Sequence, residues 1–325
     1  MLDSILGGAP VWLWIVFHLL VFTLLGTDFF LTRGSLPPRK ITRRSYWLTA
    51  LWVIAALLFS LLVHRVLRQQ YALEYLTGYG IEEALSIDNL FVFLVLFRAF
   101  QLAPLQQRRV LFFGVAGAIV LRALMIFAGI RLLNAFVWMN YIFGAILLYT
   151  AWRLLRESLE CPPGPHTEKP PRAISWLMRK LPMASLENSR DNDAFLVRVG
   201  GRLRFTPLFI ALLAIEATDA VFATDSIPAV LAVSHHPFVV YSSNIFAVLG
   251  LRSLYFTLAE ALERLHKLRY GLVGILAFVG LKMMLARVLH LPIWISLAVV
   301  GVAVAVTAVW SALSERPAPA RKENR

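Results

Sequence analysis

Two short acidic runs hold the residues most able to do chemistry. The first reads EEALSIDN over 82–89 and supplies Glu82, Glu83, Asp88 and Asn89. The second lies within 216–226 and supplies Glu216, Thr218, Asp219, Thr224, Asp225 and Ser226. Both interrupt strongly apolar surroundings, where a carboxylate costs at least about 2.5–3.5 kcal/mol to insert into a bilayer. Carboxylate, amide and hydroxyl oxygens suit hard cations such as Mn2+, Mg2+ and Ca2+. Neither run contains cysteine or histidine, which disfavours a zinc or soft-metal site. The side-chain oxygens of these two runs are therefore the candidate metal ligands.

In both runs the paired acids are six residues apart: Glu82 with Asp88, and Asp219 with Asp225. Six residues on a continuous helix amount to about 240°, so neither pair would share a face. Glu216 with Asp219, and Asp219 with Ser226, would align. Pro228 follows Asp225 closely and removes a backbone donor. The stretch ATDSIP is the expected place for an unwound turn that brings Asp219 and Asp225 to one cavity. The alternative is a site whose ligands are divided between the two runs. Arg122 and Arg252 are expected either to pair with buried carboxylates, hold the bundle and offset their charge, or to take part in transport. His235 and His236 read as ordinary turn residues at the outer end of a span, Lys282 as a snorkelling side chain, and Asp28 as peripheral. Glu83 and Glu260 are read as facing loops or headgroups.

The elements that must position these residues are membrane helices. Of the 325 residues, 59% are hydrophobic and 16% charged, with a mean hydropathy of +0.69; soluble domains carry about 25% charged residues. Apolar windows fall at roughly 10–31, 46–64, 76–97, 109–130, 137–153, 205–233, 238–260, 268–286 and 291–312. Open strands cannot satisfy their backbone in lipid, so the fold class is an all-α polytopic membrane protein of about nine transmembrane helices. The first window is too long for a signal-peptide core and is read as retained. The net charge of +13 points to the lipid bilayer, not to nucleic acid, because the basic residues gather in alternate loops.

Those loops set the orientation. Arg33, Arg39, Lys40, Arg43 and Arg44 crowd the first connection, and further basic residues fill 98–109, 153–204, 261–269 and the C-terminal tail. The opposite side holds only Arg65, Arg68, Arg131 and Arg287. The richer side is expected to be cytoplasmic, with the N-terminus outside and the C-terminus inside. The chain then divides into two N-terminal spans and a basic loop (1–75), a three-span unit (76–155), a cytoplasmic loop (156–204), a second three-span unit (205–286), and a last span with a basic tail (287–325). In the loop, Ile174, Leu177, Met178 and Leu181 suggest an interfacial helix. FLVRV and RLRFT around Gly200–Gly201 suggest a β-hairpin. The single cysteine, Cys161, permits no internal disulfide.

A weak internal repeat links the three-span units. AIVLRAL (118–124) matches VLGLRSL (248–254), aligning Arg122 with Arg252, and Gly144 falls on Gly274. The acidic runs keep the same order. Units of three spans run through the membrane in opposite directions, and such inverted repeats place a transport site near the midplane between them.

GYGIEEALSIDNLFVF and IEATDAVFATDSIPAV resemble the TerC family of integral membrane proteins, as do NIFAVLGLRSLYF and YGLVGILAFVGLKMML. The resemblance covers roughly 10–312, and with the basic first loop and VRVGGRLRFTPL it is close to the Alx-type members. It implies a bacterial inner-membrane exporter of manganese, with Mn2+ as cargo, a metal site carried over onto Glu82, Asp88, Asn89, Glu216, Asp219, Asp225 and Ser226, no permanently bound cofactor and no catalytic residues. Proton exchange would fit a carboxylate site. The alternative it implies is a membrane scaffold or metal-loading partner in a tellurite-resistance or secreted-enzyme metalation complex, with membrane or secretory partner proteins docking on the 156–204 loop. An intramembrane aspartyl protease is disfavoured, since Gly78–Tyr79–Gly80 is followed by Ile81 and not by aspartate.

Overall fold

The computed structural model describes residues 5–32, 38–100, 102–136, 138–160, 194–199, 202–258, 268–285 and 292–313. Among these, nine helices follow the apolar windows: α1 (Val11–Thr32), α2 (Pro38–Val66), α3 (Gln69–Ala99), α4 (Pro104–Ala135), α5 (Met139–Glu160), α6 (Pro207–Leu231), α7 (Pro237–Leu258), α8 (Leu268–Met284) and α9 (Ile293–Leu313). Six of the nine (α1, α2, α4, α6, α7 and α9) contain stretches long and apolar enough to cross a membrane, and α8 is a shorter apolar helix. The chain is thus an all-α polytopic membrane protein. The helices begin where a missing donor is harmless: Pro104 and Pro207 open α4 and α6 at positions whose N–H would lack a helical partner. At α4 the Ala103 N–H donates to Gln106 Oε1 at 3.1 Å, satisfying one orphan donor.

The centre of the bundle is α7, in which every residue from Phe238 to Leu251 is buried. Such complete enclosure needs neighbours on all sides, and α2, α3 and α4 pack against it. Outward-facing positions elsewhere stay apolar, including Leu19, Leu58, Leu124, Val221 and Val302, as a lipid-facing surface requires. One aromatic cluster joins α1, α2, α3 and α7 through Phe17, Trp52, Phe59, Tyr75 and Phe246. A second core lies among α3, α4, α5, α6 and α8, and a third joins α3, α4, α6 and α7 through Leu90, Phe97, Leu208 and Tyr255.

Side-chain contacts fix the helix directions that matter for the site. Ser234, just past α6, donates to Glu74 of α3, and a Cβ on Gly78 would lie 3.1 Å from Val230. The two helices therefore run antiparallel, and that register sets Glu82 near the level of Ser226 and Asn89 near that of Asp219. Gly114, Gly117 and Gly129 of α4 meet Leu212, Glu216, Ile227 and Leu231 of α6 in ascending order, so those helices are parallel. Helices α5 and α8 cross with their backbones almost touching: a Cβ on either Gly144 or Gly280 would lie 3.0 Å from the other's carbonyl oxygen.

The helix break expected at ATDSIP is not there. Helical backbone continues from Pro207 to Leu231 with Pro228 inside it. Proline leaves only one carbonyl unpaired, and membrane helices tolerate this when packed neighbours re-satisfy the backbone. The expected β-hairpin is present: Leu196–Val199 and Arg202–Phe205 pair antiparallel, with Val199 opposite Arg202. A further small hairpin, Ile5–Leu6 with Ala9–Pro10, precedes α1 and has no counterpart in the sequence reading. The helix expected over 174–181, Cys161 and Glu260 lie outside the described residues.

Candidate functional site

Four helices converge on one buried ion cluster. Helix α4 contributes Arg122, α3 Glu82, α6 Asp219 and α7 Asn244. Arg122, Glu82 and Asn244 are fully buried, and Asp219 is 5% exposed. Arg122 Nη1 donates to Glu82 Oε1 and to Asn244 Oδ1, the latter at 2.8 Å. Its Nη2 donates to Asp219 Oδ1 at 2.8 Å and its Nε to Asp219 Oδ2 at 3.2 Å, a two-pronged contact suited to the planar guanidinium. Asn244 Nδ2 closes the ring by donating to Glu82 Oε2 at 2.9 Å.

Two carboxylates face one guanidinium, so the ionised cluster carries one net negative charge. Burying such charges is tolerable only when all are paired, and removing one partner of a buried pair costs about 3–5 kcal/mol. The same stripes of α3 and α6 carry more oxygen. Ser86 is one turn from Glu82, and Asn89 two turns. Ser226 is two turns from Asp219. All three are buried, and among the described residues the hydroxyls of Ser86 and Ser226 have no hydrogen-bond partner. Unsatisfied buried hydroxyls are uncommon in a folded interior and mark a place where another group can be accommodated.

The remaining candidates separate from this cluster. Glu216, one turn before Asp219, turns towards α4 and rests on its glycines: a Cβ on Gly114 would lie 3.0 Å from Glu216 Oε1, and one on Gly117 would touch Oε2. Asp225 sits half-buried and accepts a hydrogen bond from Thr150 of α5 at 2.9 Å. The unbroken helix thus sends Asp219 and Asp225 to different neighbours, as the six-residue spacing requires. The side chains of Asp88 and Arg252 lie outside the described residues; their backbones belong to α3 and α7. Among the described residues no group of three or more His, Cys, Asp or Glu could hold a metal ion in this arrangement.

Several polar residues acquire roles that the sequence alone did not assign. Asn244 is a full member of the cluster; its signal was the run Ser242–Ser243–Asn244, which implies a helix enclosed on every face. Glu83 hydrogen-bonds Tyr79, and a Cβ on Gly250 of α7 would lie 3.3 Å from its carboxylate, so it faces protein and not headgroups. Asp28 is buried near Arg108. Lys282 donates to Ser296 of α9 at 2.9 Å. At one end of the bundle Glu74 accepts from Gln70 at 2.9 Å and from Ser234 at 2.6 Å. There His236 Nε2 lies 3.1 Å from the carbonyl oxygen of Gly8 in the N-terminal hairpin, and its ring packs on Tyr71. Gly8 holds φ +83°, and a Cβ there would lie 2.6 Å from His236 Nε2, so only glycine fits.

Residues 67–318 match the family model described as the integral membrane protein TerC family. The chain is 42% identical over 312 residues, 93% of its length and 94% of the relative's, to a Salmonella typhi protein named putative membrane-bound redox modulator Alx. It is 43% identical over 303 residues, 90% of its length and 91% of the relative's, to the protein of the same name from Escherichia coli K12. It is 39% identical over 313 residues, 96% and 95% of the two lengths, to the uncharacterized membrane protein STKORF319 of Myxococcus xanthus. No solved structure matches.

Proposed function

This chain belongs to the TerC family of integral membrane proteins, and we propose that it moves a hard divalent cation, Mn2+ foremost, out of a bacterial cell across the inner membrane. The observation that carries the reading is the buried ring of Glu82, Asp219 and Asn244 oxygens around the Arg122 guanidinium. Four oxygens from three helices surround a positive group, and oxygen-rich surroundings of net negative charge suit a hard cation. Intramembrane charges of this kind, paired and turned into the bundle, mark ion pathways.

The same reading takes all nine helices as spans and α3–α5 and α6–α8 as inverted repeats. The packing supports it: α3 lies parallel to α7 as α6 lies parallel to α4, while α3 with α6 and α5 with α8 meet antiparallel. A two-fold axis in the membrane plane exchanges these pairs. The N-terminus is then outside and the C-terminus cytoplasmic, by the distribution of Lys and Arg. Asp225, at the flank of the central ring, and Asp88, six residues after Glu82 in the sequence of α3, serve as way-stations for the cation, with protons as the counter-ion. No catalytic residue or permanent cofactor belongs to this reading. The relatives' name, redox modulator, translates less directly: the chain's single cysteine, Cys161, provides no dithiol, and an effect on redox balance would follow from the metal moved.

The test is efflux of Mn2+ from loaded cells or inside-out uptake by vesicles. Wild-type protein is expected to accelerate it, and Glu82→Ala, Asp219→Ala, Asp88→Ala and Asp225→Ala to abolish or strongly slow it. Unimpaired transport by all four variants would sink the proposal.

A further inference from the structure

Arg122 stands where the cargo should stand. Its Nη1 is within bonding distance of Glu82 Oε1 and Asn244 Oδ1 together, and its other two nitrogens take both oxygens of Asp219. A divalent metal ion bound by those oxygens at about 2.0–2.6 Å would fall within van der Waals contact of the guanidinium. Two positive groups cannot share that space, by sterics or by Coulomb repulsion in a buried site. We propose that Arg122 is a tethered cation that occupies the transport site between turnovers and exchanges places with the metal ion, and that Asn244 is a ligand of that ion. The inference rests on the transport reading for its purpose but not for its binding chemistry.

The fold supplies a second seat for the displaced guanidinium. Arginine on a helix leans towards the N-terminal side of its own position, which on α4 is the side of Gly117 and Gly114. The Glu216 carboxylate lies against those two glycines, half-buried and one turn from Asp219. A swing from Asp219 to Glu216 keeps the guanidinium paired throughout, so no charge is stranded in the bundle. With Arg122 gone from the centre, Glu82, Asp219 and Asn244 offer carboxylate and amide oxygens to the metal. The hydroxyls of Ser86 and Ser226, without a partner among the described residues, lie on the same helix stripes. The empty protein then holds a compensated site in the absence of cargo, and arrival of the metal releases the arginine.

Purified full-length protein in detergent, titrated with Mn2+ and read by calorimetry, tests this. Arg122→Gln, checked for monodisperse elution, is expected to bind Mn2+ at least tenfold more tightly than wild type, and added guanidinium to weaken that binding competitively. Asn244→Ala in the Arg122→Gln background is expected to lose most of the gain. Affinity in folded Arg122→Gln that is unchanged or weaker overturns the inference, as does guanidinium without effect. Should Arg122→Gln fail to fold, Arg122→Lys serves: its ammonium cannot span Asp219 and Asn244 together, so a severalfold tighter Mn2+ affinity is expected, and no gain overturns the inference. Glu216→Gln, which removes the second seat, is expected to weaken Mn2+ affinity severalfold in the wild-type background and far less in the Arg122→Gln background; equal effects in the two backgrounds overturn the second seat. Wild-type vesicles that fail to move Mn2+, beside Arg122→Gln that binds it tightly, would refute the transport reading and leave the exchange of occupants standing.

Discussion

Asp219 and Asp225 belong to one helix, lie six residues apart and carry the same side chain, yet their surroundings differ in every respect that matters. Asp219 is almost fully buried and gives both oxygens to a guanidinium. Asp225 is half-buried and accepts from a threonine hydroxyl on another helix. The difference follows from the helix period: without a break, about 240° separates the two. A motif that looks like a pair of ligands in the sequence is, in space, one residue of a charge network and one residue at its flank.

The largest effect should come from cutting the network. Asp219→Ala is expected to lower stability by about 3–5 kcal/mol, seen as a large drop in the thermal midpoint of the detergent-solubilised protein. Asp225→Ala removes one hydrogen bond at a half-exposed site and is expected to cost only about 0.5–1.5 kcal/mol. Equal losses from the two would erase the distinction between them. A smaller effect tests the seat of Glu216. Gly117→Ala places a methyl group against that carboxylate and is expected to destabilise by about 1–3 kcal/mol. Adding Glu216→Ala in the same chain should recover most of that loss, and failure to recover it would mean that the glycine serves some other contact.

The smallest effect lies at the end of the bundle, where His236 holds the N-terminal hairpin. Burial lowers the His236 pKa below its ordinary 6.5, against the raising influence of the Gly8 carbonyl and of Glu74. A lowered pKa means that the unfolded chain takes up a proton first. This contribution to stability is therefore complete above about pH 6.5 and shrinks as the pH falls from there through the folded-state value. Amide protection at Gly8 and its neighbours, after correction for the intrinsic pH dependence of exchange, is expected to fall over that interval, and His236→Gln to flatten the response. A pH profile unchanged by the substitution would assign the effect elsewhere.

Much of the helical layout was legible because lipid leaves the backbone few choices, and an apolar run long enough to span then implies a helix. The residues that form the ring were legible as well, since charges are rare at that depth. What was not legible was partnership. Arg122 lies 97 residues from Asp219 and 122 from Asn244, and nothing local says which carboxylate an arginine will meet. Pro228 misled for a related reason: its missing donor is a local signal for a break, while the packing that keeps α6 continuous is supplied by other helices. Asn244 was visible as a polar residue in a span, but its importance depended on α7 being enclosed on all sides. The small hairpin at Ile5–Leu6 and Ala9–Pro10 was too short to show any periodicity.

The order of the ring along the chain also governs how the protein can be made. Arg122 follows Glu82 by 40 residues, which at about 5–20 residues per second is a delay of roughly 2–8 s on the ribosome. Helices α3 and α4 can therefore pair with the charge of Glu82 already matched by Arg122. Asp219 and then Asn244 arrive only after a further wait, and each meets a charge that is already in place. The ring closes in the sequence acid, base, acid, amide, so the Glu82 carboxylate need not wait for its arginine longer than the synthesis of one hairpin.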